Sequence, residues 1–210
     1  MYLTVNHTTL YYTQHGHGHP LILLHGNGTS HAIFADLIPQ LAPNFTVYAL
    51  DARDHGQSST TDYISYQLMA TDVRDFIQTL NLRAPTVIGV GDGGISALLV
   101  ASAHPTIIGR LILAGVHTQP RDLRLRKRIA LAADYFSRPR KKLGLQMWGH
   151  ITNEQLARVS APTSSWRAPK VTSTSGQHGT SPQAFRMPTY AWLRMPTICP
   201  TLRTLTVSTV

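Results

Sequence analysis

The chain carries a single cysteine, Cys199, in 210 residues. An internal disulfide is therefore excluded, and a reducing compartment is the expected setting. No apolar run approaches the roughly eighteen residues of a membrane span. The opening, MYLTVNHTTLYYTQHG, has no basic stretch followed by an apolar core, so no secretory leader is expected. These absences favour a cytoplasmic protein without a membrane partner. Acidic residues are also scarce: all ten lie between Asp36 and Glu154, and none follows. No internal repeat is visible.

The formal net charge of +9 invites a nucleic-acid reading. Its distribution argues otherwise. From Ser164 onward there are five basic residues and no acid, which accounts for more than half of the excess. The basic clusters proper are RDLRLRKRIA (121–130) and RPRKK (138–142). Neither contains an aromatic side chain on which a base could stack, and only Tyr135 and Phe136 lie between them. They read as a solvated helix face and loop, and no nucleic-acid partner is expected.

What is present is an alternation of strand and helix signals. YLTVN (2–6) and TLYYTQ (9–14) have the period of half-buried strands, with Asn6-His7-Thr8 as a turn. PLILLHGNG (20–28), FTVYALD (45–51), TVIGV (86–90) and RLILAG (110–115) contain the short continuous apolar runs of strands buried on both faces. Between them, HAIFADLIPQLA (31–42) and ISALLVASA (95–103) read as helices. Tyr66, Met69, Val73, Phe76, Ile77 and Leu80 recur at spacings of three and four, the pattern of an amphipathic helix. The order predicts an α/β fold, a doubly wound, mostly parallel sheet with helices on both faces. Residues 119–150 read as helices outside the sheet, and 151–163 as a helix leading into a turn.

VIGVGDGGISALLVA (87–101) is the stretch with most chemical content. GVGDGG fits the G-x-G-x-x-G loop that cradles a dinucleotide. That loop belongs on the first strand of its domain, with an acid about twenty positions later to hold the ribose. Here it follows other parallel-type strands, and LILAGVHTQ (111–119) contains no acid, so no cofactor is expected. The same letters fit the turn that lifts a hydrolase nucleophile, G-x-S-x-G-G, with glycine in the serine's place.

Three stretches in order resemble the α/β-hydrolase superfamily: HGNG (25–28) after the third strand, DARDHGQSS (51–59) after the fourth, and VIGVGDGGISALLVASAHP (87–105) at the fifth. The resemblance covers residues 1–163, with a small helical cap at about 116–150. It implies an oxyanion loop at His25, Gly26, Asn27 and Gly28. The backbone N–H groups of Asn27 and Asp92 would be the oxyanion donors, and Gly89, Gly93 and Gly94 the small residues that make room for the turn. It places Gly91 at the nucleophile position, where no side chain is available to attack. An alternative register would use Asp92, but it misplaces the small residues. Ser96 reads as an ordinary helix residue. Asp54 stands where the D-x-R-G pattern has glycine. His25, His55, His104, His117 and His150 read as loop, turn or surface positions, and His178 has no family-like context. No metal is expected. The implied ancestral activity is hydrolysis of a small ester or amide-like bond, with the chain as written inactive. The alternative is a small-ligand-binding module of the same fold.

After APT (161–163) an apolar seventh strand should follow. Instead the tail 164–210 has Ser or Thr at fifteen of its 47 positions. Starting one nucleotide earlier, and with suitable codons, T-S-S-W-R-A-P-K becomes L-V-V-A-G-T-K. An Asp then falls opposite Thr172 and a His opposite Ile198, where the family keeps its acid and base. The tail is expected to be out of frame or disordered, with the last strands and helix missing and the sixth strand left as a bare edge. The other reading is a natural Ser/Thr-rich tail.

Overall fold

The computed structural model describes residues 1–118, 129, 133 and 151–166. Its centre is a seven-stranded sheet in the order β1-β2-β4-β3-β5-β6-β7. β1 (Tyr2–Val5) and β2 (Thr8–His15) form an antiparallel hairpin, and β2 joins β4 (Phe45–Leu50) antiparallel. From there the sheet is parallel: β4 beside β3 (His19–Leu24), then β5 (Thr86–Val90), β6 (Arg110–Ala114) and β7 (Thr163–Trp166). Parallel neighbours require crossovers, and the helices that supply them cover the sheet.

The amphipathic stretch forms α2 (Tyr66–Thr79), following a short α1 (Ile38–Leu41). Ser65 is extended and its hydroxyl accepts the Leu68 N–H at 3.2 Å, which satisfies one of the helix's free donors. α2 buries Tyr66, Met69, Val73, Phe76 and Ile77. Phe76 meets the rings of Tyr12 and Tyr48 edge-on, at 5.1 and 6.0 Å between centroids. Burial of each such side chain contributes about 1.5–3 kcal/mol. α3 (Asp92–Ala103) is buried along nearly its whole length, from Asp92 to Ser102, and packs against α2 and against β5 and β6 of the sheet. A short α4 (Asn153–Ala157) opens with a reciprocal cap between Thr152 and Gln155.

Two expectations need correction. Residues 31–42 are not one helix: a 3₁₀ turn at His31–Phe34 is followed by α1. Pro39 explains the break, since it has no N–H to bond back one turn and sits comfortably only at a helix start. The seventh strand is also not absent. Leu111, Ile112, Leu113 and Ala114 of β6 pair in parallel register with Thr163, Ser164, Ser165 and Trp166. β6 is therefore not the sheet edge, because a ladder of main-chain bonds needs no apolar side chains. Of the expected cap at about 116–150 only residues 116–118, Ile129 and Ala133 are described, and the tail beyond 166 lies wholly outside the described residues.

Candidate active site

β3 and β5 are neighbours in the sheet, with Leu24 opposite Gly89. The loops that leave their C-terminal ends therefore face each other, at the edge where open α/β sheets bind ligands. One loop is His25-Gly26-Asn27-Gly28 and the other is the turn into α3.

Gly91 is the apex of that turn. Its φ of 52° and ψ of −117° are outside the regions open to ordinary L-residues. Its N–H donates to the Ala114 carbonyl of β6 at 2.9 Å, and its own carbonyl accepts the Gly94 and Ile95 N–H groups that start the helix. The turn is thus held by main chain alone. Space separates Gly91 from its neighbours. A Cβ on Gly93 would stand 2.5 Å from the Leu24 oxygen and 2.6 Å from the His25 oxygen. A Cβ on Gly89 would stand 2.5 Å from the Gly94 Cα, and one on Gly94 would meet the Val116 side chain at 2.3 Å. On Gly91 a Cβ would meet only the Gly26 Cα, at an ordinary 3.7 Å. The other three positions require glycine for close packing. Gly91 requires it for dihedral comfort only.

Asp92 is the first residue of α3 and is buried. Its N–H lies in the first helical turn, where helix geometry directs donors away from the helix's own carbonyls. Its carboxylate takes a hydrogen bond from the buried Tyr66 phenol. Burial, reinforced by that carboxylate, pushes the phenol far above the usual tyrosine range. Ser96 is buried, and its hydroxyl donates to the Asp92 carbonyl at 3.1 Å, as an ordinary helix residue does. The turn apex falls on Gly91 rather than Asp92.

His25 lies in the loop after β3 but is buried there rather than at the surface. It is 2% exposed, with Nδ1 2.7 Å from the Gly26 carbonyl and Nε2 accepting the Ala52 N–H at 3.0 Å. Nδ1 therefore carries the proton and donates. Burial drives its pKa from 6.5 down to about 4, only partly opposed by the Gly26 bond. The imidazole thereby ties the HGNG loop to the loop after β4. His55 is buried as well, its ring 5.2 Å from that of His25, with Nδ1 donating to the Arg53 carbonyl at 2.9 Å and Nε2 3.4 Å from the Asn27 side-chain oxygen. Gly28 is exposed, with open space around it.

The loop after β4 is organised by two buried carboxylates. Asp51 accepts the His31 N–H at 2.7 Å, the His31 Nδ1 at 2.8 Å and the Gln57 N–H at 2.8 Å. Burial pushes its pKa up, but these bonds outweigh it and hold the carboxyl below the usual range. Asp72 on α2 receives a bidentate Arg53, at 2.6 and 2.5 Å, and the Asn6 amide at 2.9 Å. Here burial prevails and the pKa is raised. Asp54 adopts φ 62°, the left-handed conformation for which the pattern has glycine. The sequence hid these pairings because, Gln57 apart, the partners lie 19–66 residues away; the D-x-R spacing was the only available signal.

Of the other histidines, His104 caps the end of α3 and His117 is exposed after β6, both as expected. His150 and His178 lie outside the described residues. Among the described residues no three His, Cys, Asp or Glu side chains form a metal-binding group. No helix among them is long and apolar enough to cross a membrane.

A family model described as alpha/beta hydrolase fold matches residues 19–193. The soluble epoxide hydrolase of Corynebacterium sp. is 36% identical over 110 residues, which cover 52% of this chain and 38% of that protein. The serine hydrolase BPHL of Homo sapiens is 31% identical over 127 residues, 57% of this chain and 44% of that one. Among solved structures, epoxide hydrolase CorEH without ligand superposes with a TM-score of 0.59 at 29% identity, covering 66% of this chain and 52% of its own. The matched part thus spans less than half the length of these two curated relatives. With sheet order, strand-to-helix turn and family match in agreement, the chain belongs to the α/β-hydrolase fold family.

Proposed function

We propose that this chain is a catalytically silent member of its family, derived from a hydrolase of small esters or amide-like substrates. One observation carries the reading: the apex of the strand-to-helix turn, held at φ 52° and ψ −117°, is glycine. A serine hydrolase needs a hydroxyl there, a base to deprotonate it and an acid to orient the base. Gly91 supplies no hydroxyl, and no acid follows Glu154 in the sequence. In this reading the main-chain N–H groups of Asn27 and Asp92 are the oxyanion donors. They survive side-chain loss, but they are the smaller part of the machinery. Removing the nucleophile of a serine protease costs about 10⁶-fold in kcat.

The test is turnover of p-nitrophenyl acetate and butyrate by the purified full chain, with the Gly91→Ser variant alongside. Neither protein is expected to exceed a heat-killed control, because a serine without its base is a poor nucleophile at neutral pH. Ordinary esterase rates in the variant would reveal a base already in place. Stoichiometric fluorophosphonate labelling of a serine near the turn in the unaltered chain would overturn the proposal.

A further inference from the structure

At the opposite end of β3 from this site the chain reads His15-Gly16-His17-Gly18-His19. The segment joins β2 to β3, the two strands that flank β4. All three histidines are exposed. The intervening glycines are not free to be anything else. Gly16 has φ 74°, and a Cβ on it would stand 2.1 Å from the Ala42 oxygen and 2.5 Å from the Phe45 oxygen. Gly18 has φ 113°, and its Cβ would stand 2.6 Å from the Asn44 oxygen. The Gly18 carbonyl also accepts the Thr46 hydroxyl at 3.0 Å. The loop backbone is thus pressed onto the chain entering β4, and its side chains are turned outward.

Strand register adds a second observation. His15 pairs with Val47, and His19 pairs with Phe45. Paired residues share a face, and Phe45 and Val47 are two apart on one strand, so His15 and His19 rise from the same face of the sheet. Their strands are about 10 Å apart, with β4 between them, and His17 is two residues from each. We infer that this loop is a surface site for a divalent transition ion of borderline softness, Zn(II), Cu(II) or Ni(II), held by the His17 imidazole together with that of His15 or His19. Neutral imidazole is the common protein ligand for such ions, and short His-rich tracts are a recognised composition for binding them. As they stand, the three rings are not grouped so that all could hold one ion. Being exposed, they can rotate to converge, while the pinned backbone limits the entropy lost when they do. The site lies about 20 Å from the turn at Gly91, one strand length away, and is independent of the proposal above.

Zn(II) titration of the full chain by calorimetry at pH 7.5 tests the site. One ion per chain with micromolar affinity is expected, weakened at least ten-fold in the triple variant His15→Ala, His17→Ala, His19→Ala and unchanged in His7→Ala. Far-UV circular dichroism of the metal-free triple variant should match that of the parent. Should the triple variant misfold, His17→Ala alone must weaken binding. With Cu(II), the electron paramagnetic resonance spectrum should show nitrogen superhyperfine splitting that the triple variant loses. Absence of Zn(II) binding by the parent, or undiminished binding by the histidine variants, overturns the inference. So does equal affinity in concentrated urea, which would mean that the fold contributes nothing.

Discussion

Acidification should strike first at His25. The ring is buried and neutral, donating to Gly26 through Nδ1 and accepting from Ala52 through Nε2. A proton on Nε2 would break the second bond by turning the acceptor into a donor. The pKa of about 4 in the folded chain lies below the 6.5 of an unfolded one. As pH falls through 6.5 the unfolded state takes up the proton first, so stability is full above 6.5, declines below it and reaches a lower plateau near 4. The whole shift corresponds to about 3 kcal/mol, of which about 2 kcal/mol is gone by pH 5. With a urea slope of about 2 kcal/mol/M, that moves the midpoint by about 1 M. Other groups titrate nearby. The lowered Asp51 acts only below its ordinary value, outside this window. The raised Asp72 acts in the opposite direction, favouring the folded state as pH falls. The comparison must therefore be between the parent and His25→Gln, which cannot titrate. The stability gap between them should shrink by about 2 kcal/mol from pH 7.5 to pH 5. Parallel profiles would refute the neutral, doubly bonded imidazole.

Three further outcomes are expected. Gly93→Ala should cost about 3 kcal/mol or more, because its Cβ meets two main-chain oxygens, whereas Gly91→Ala should cost about 1 kcal/mol, for its dihedral strain alone; urea unfolding of the pair separates the two. Arg53→Met should cost about 3–5 kcal/mol at pH 7.5 by leaving the Asp72 carboxylate buried without its guanidinium, and progressively less as the pH is lowered, because burial makes that carboxyl take up a proton more readily. Asp54→Gly should raise the thermal midpoint, by up to about 1 kcal/mol in stability, because it relieves a left-handed φ of 62°.

The parallel strands were legible because burial on both faces leaves continuous apolar runs, as in LILL and TVIGV, and α2 because one buried face imposes a helical period. The start of α3 was not. Asp92-Gly93-Gly94 has the composition of a loop, and becomes helix because the chain must pass within contact of Leu24 and Gly89; close packing overrides propensity there. The break at Pro39 was written in the sequence but outweighed by the apolar spacing around it. β7 was missed for the opposite reason: Ser164 and Ser165 carry no apolar signal, and the ladder with β6 is made by main chain. Gly91 was placed from its neighbours, since three glycines and a helix fix the register of the turn. The buried histidines escaped because a polar side chain gives no local sign of burial, which depends on partners distant in sequence.

The room beside Gly91 has an evolutionary consequence. Nothing in the packing forbids a Cβ there, since the nearest atom it meets is the Gly26 Cα at 3.7 Å. Half of glycine's codons lie one base from a codon for serine. From either of those codons a serine at position 91 is one mutation away, with a modest strain penalty. In the proposed reading an acid and a base, by contrast, would have to come from the segment beyond 163, which holds no acidic residue. On that proposal the two changes stand on different clocks. A population of such chains would regain a side chain at the turn often and cheaply, yet gain no catalytic advantage from it. Drift at residue 91 between glycine and serine would then be selectively silent for as long as the segment beyond 163 stays as it is.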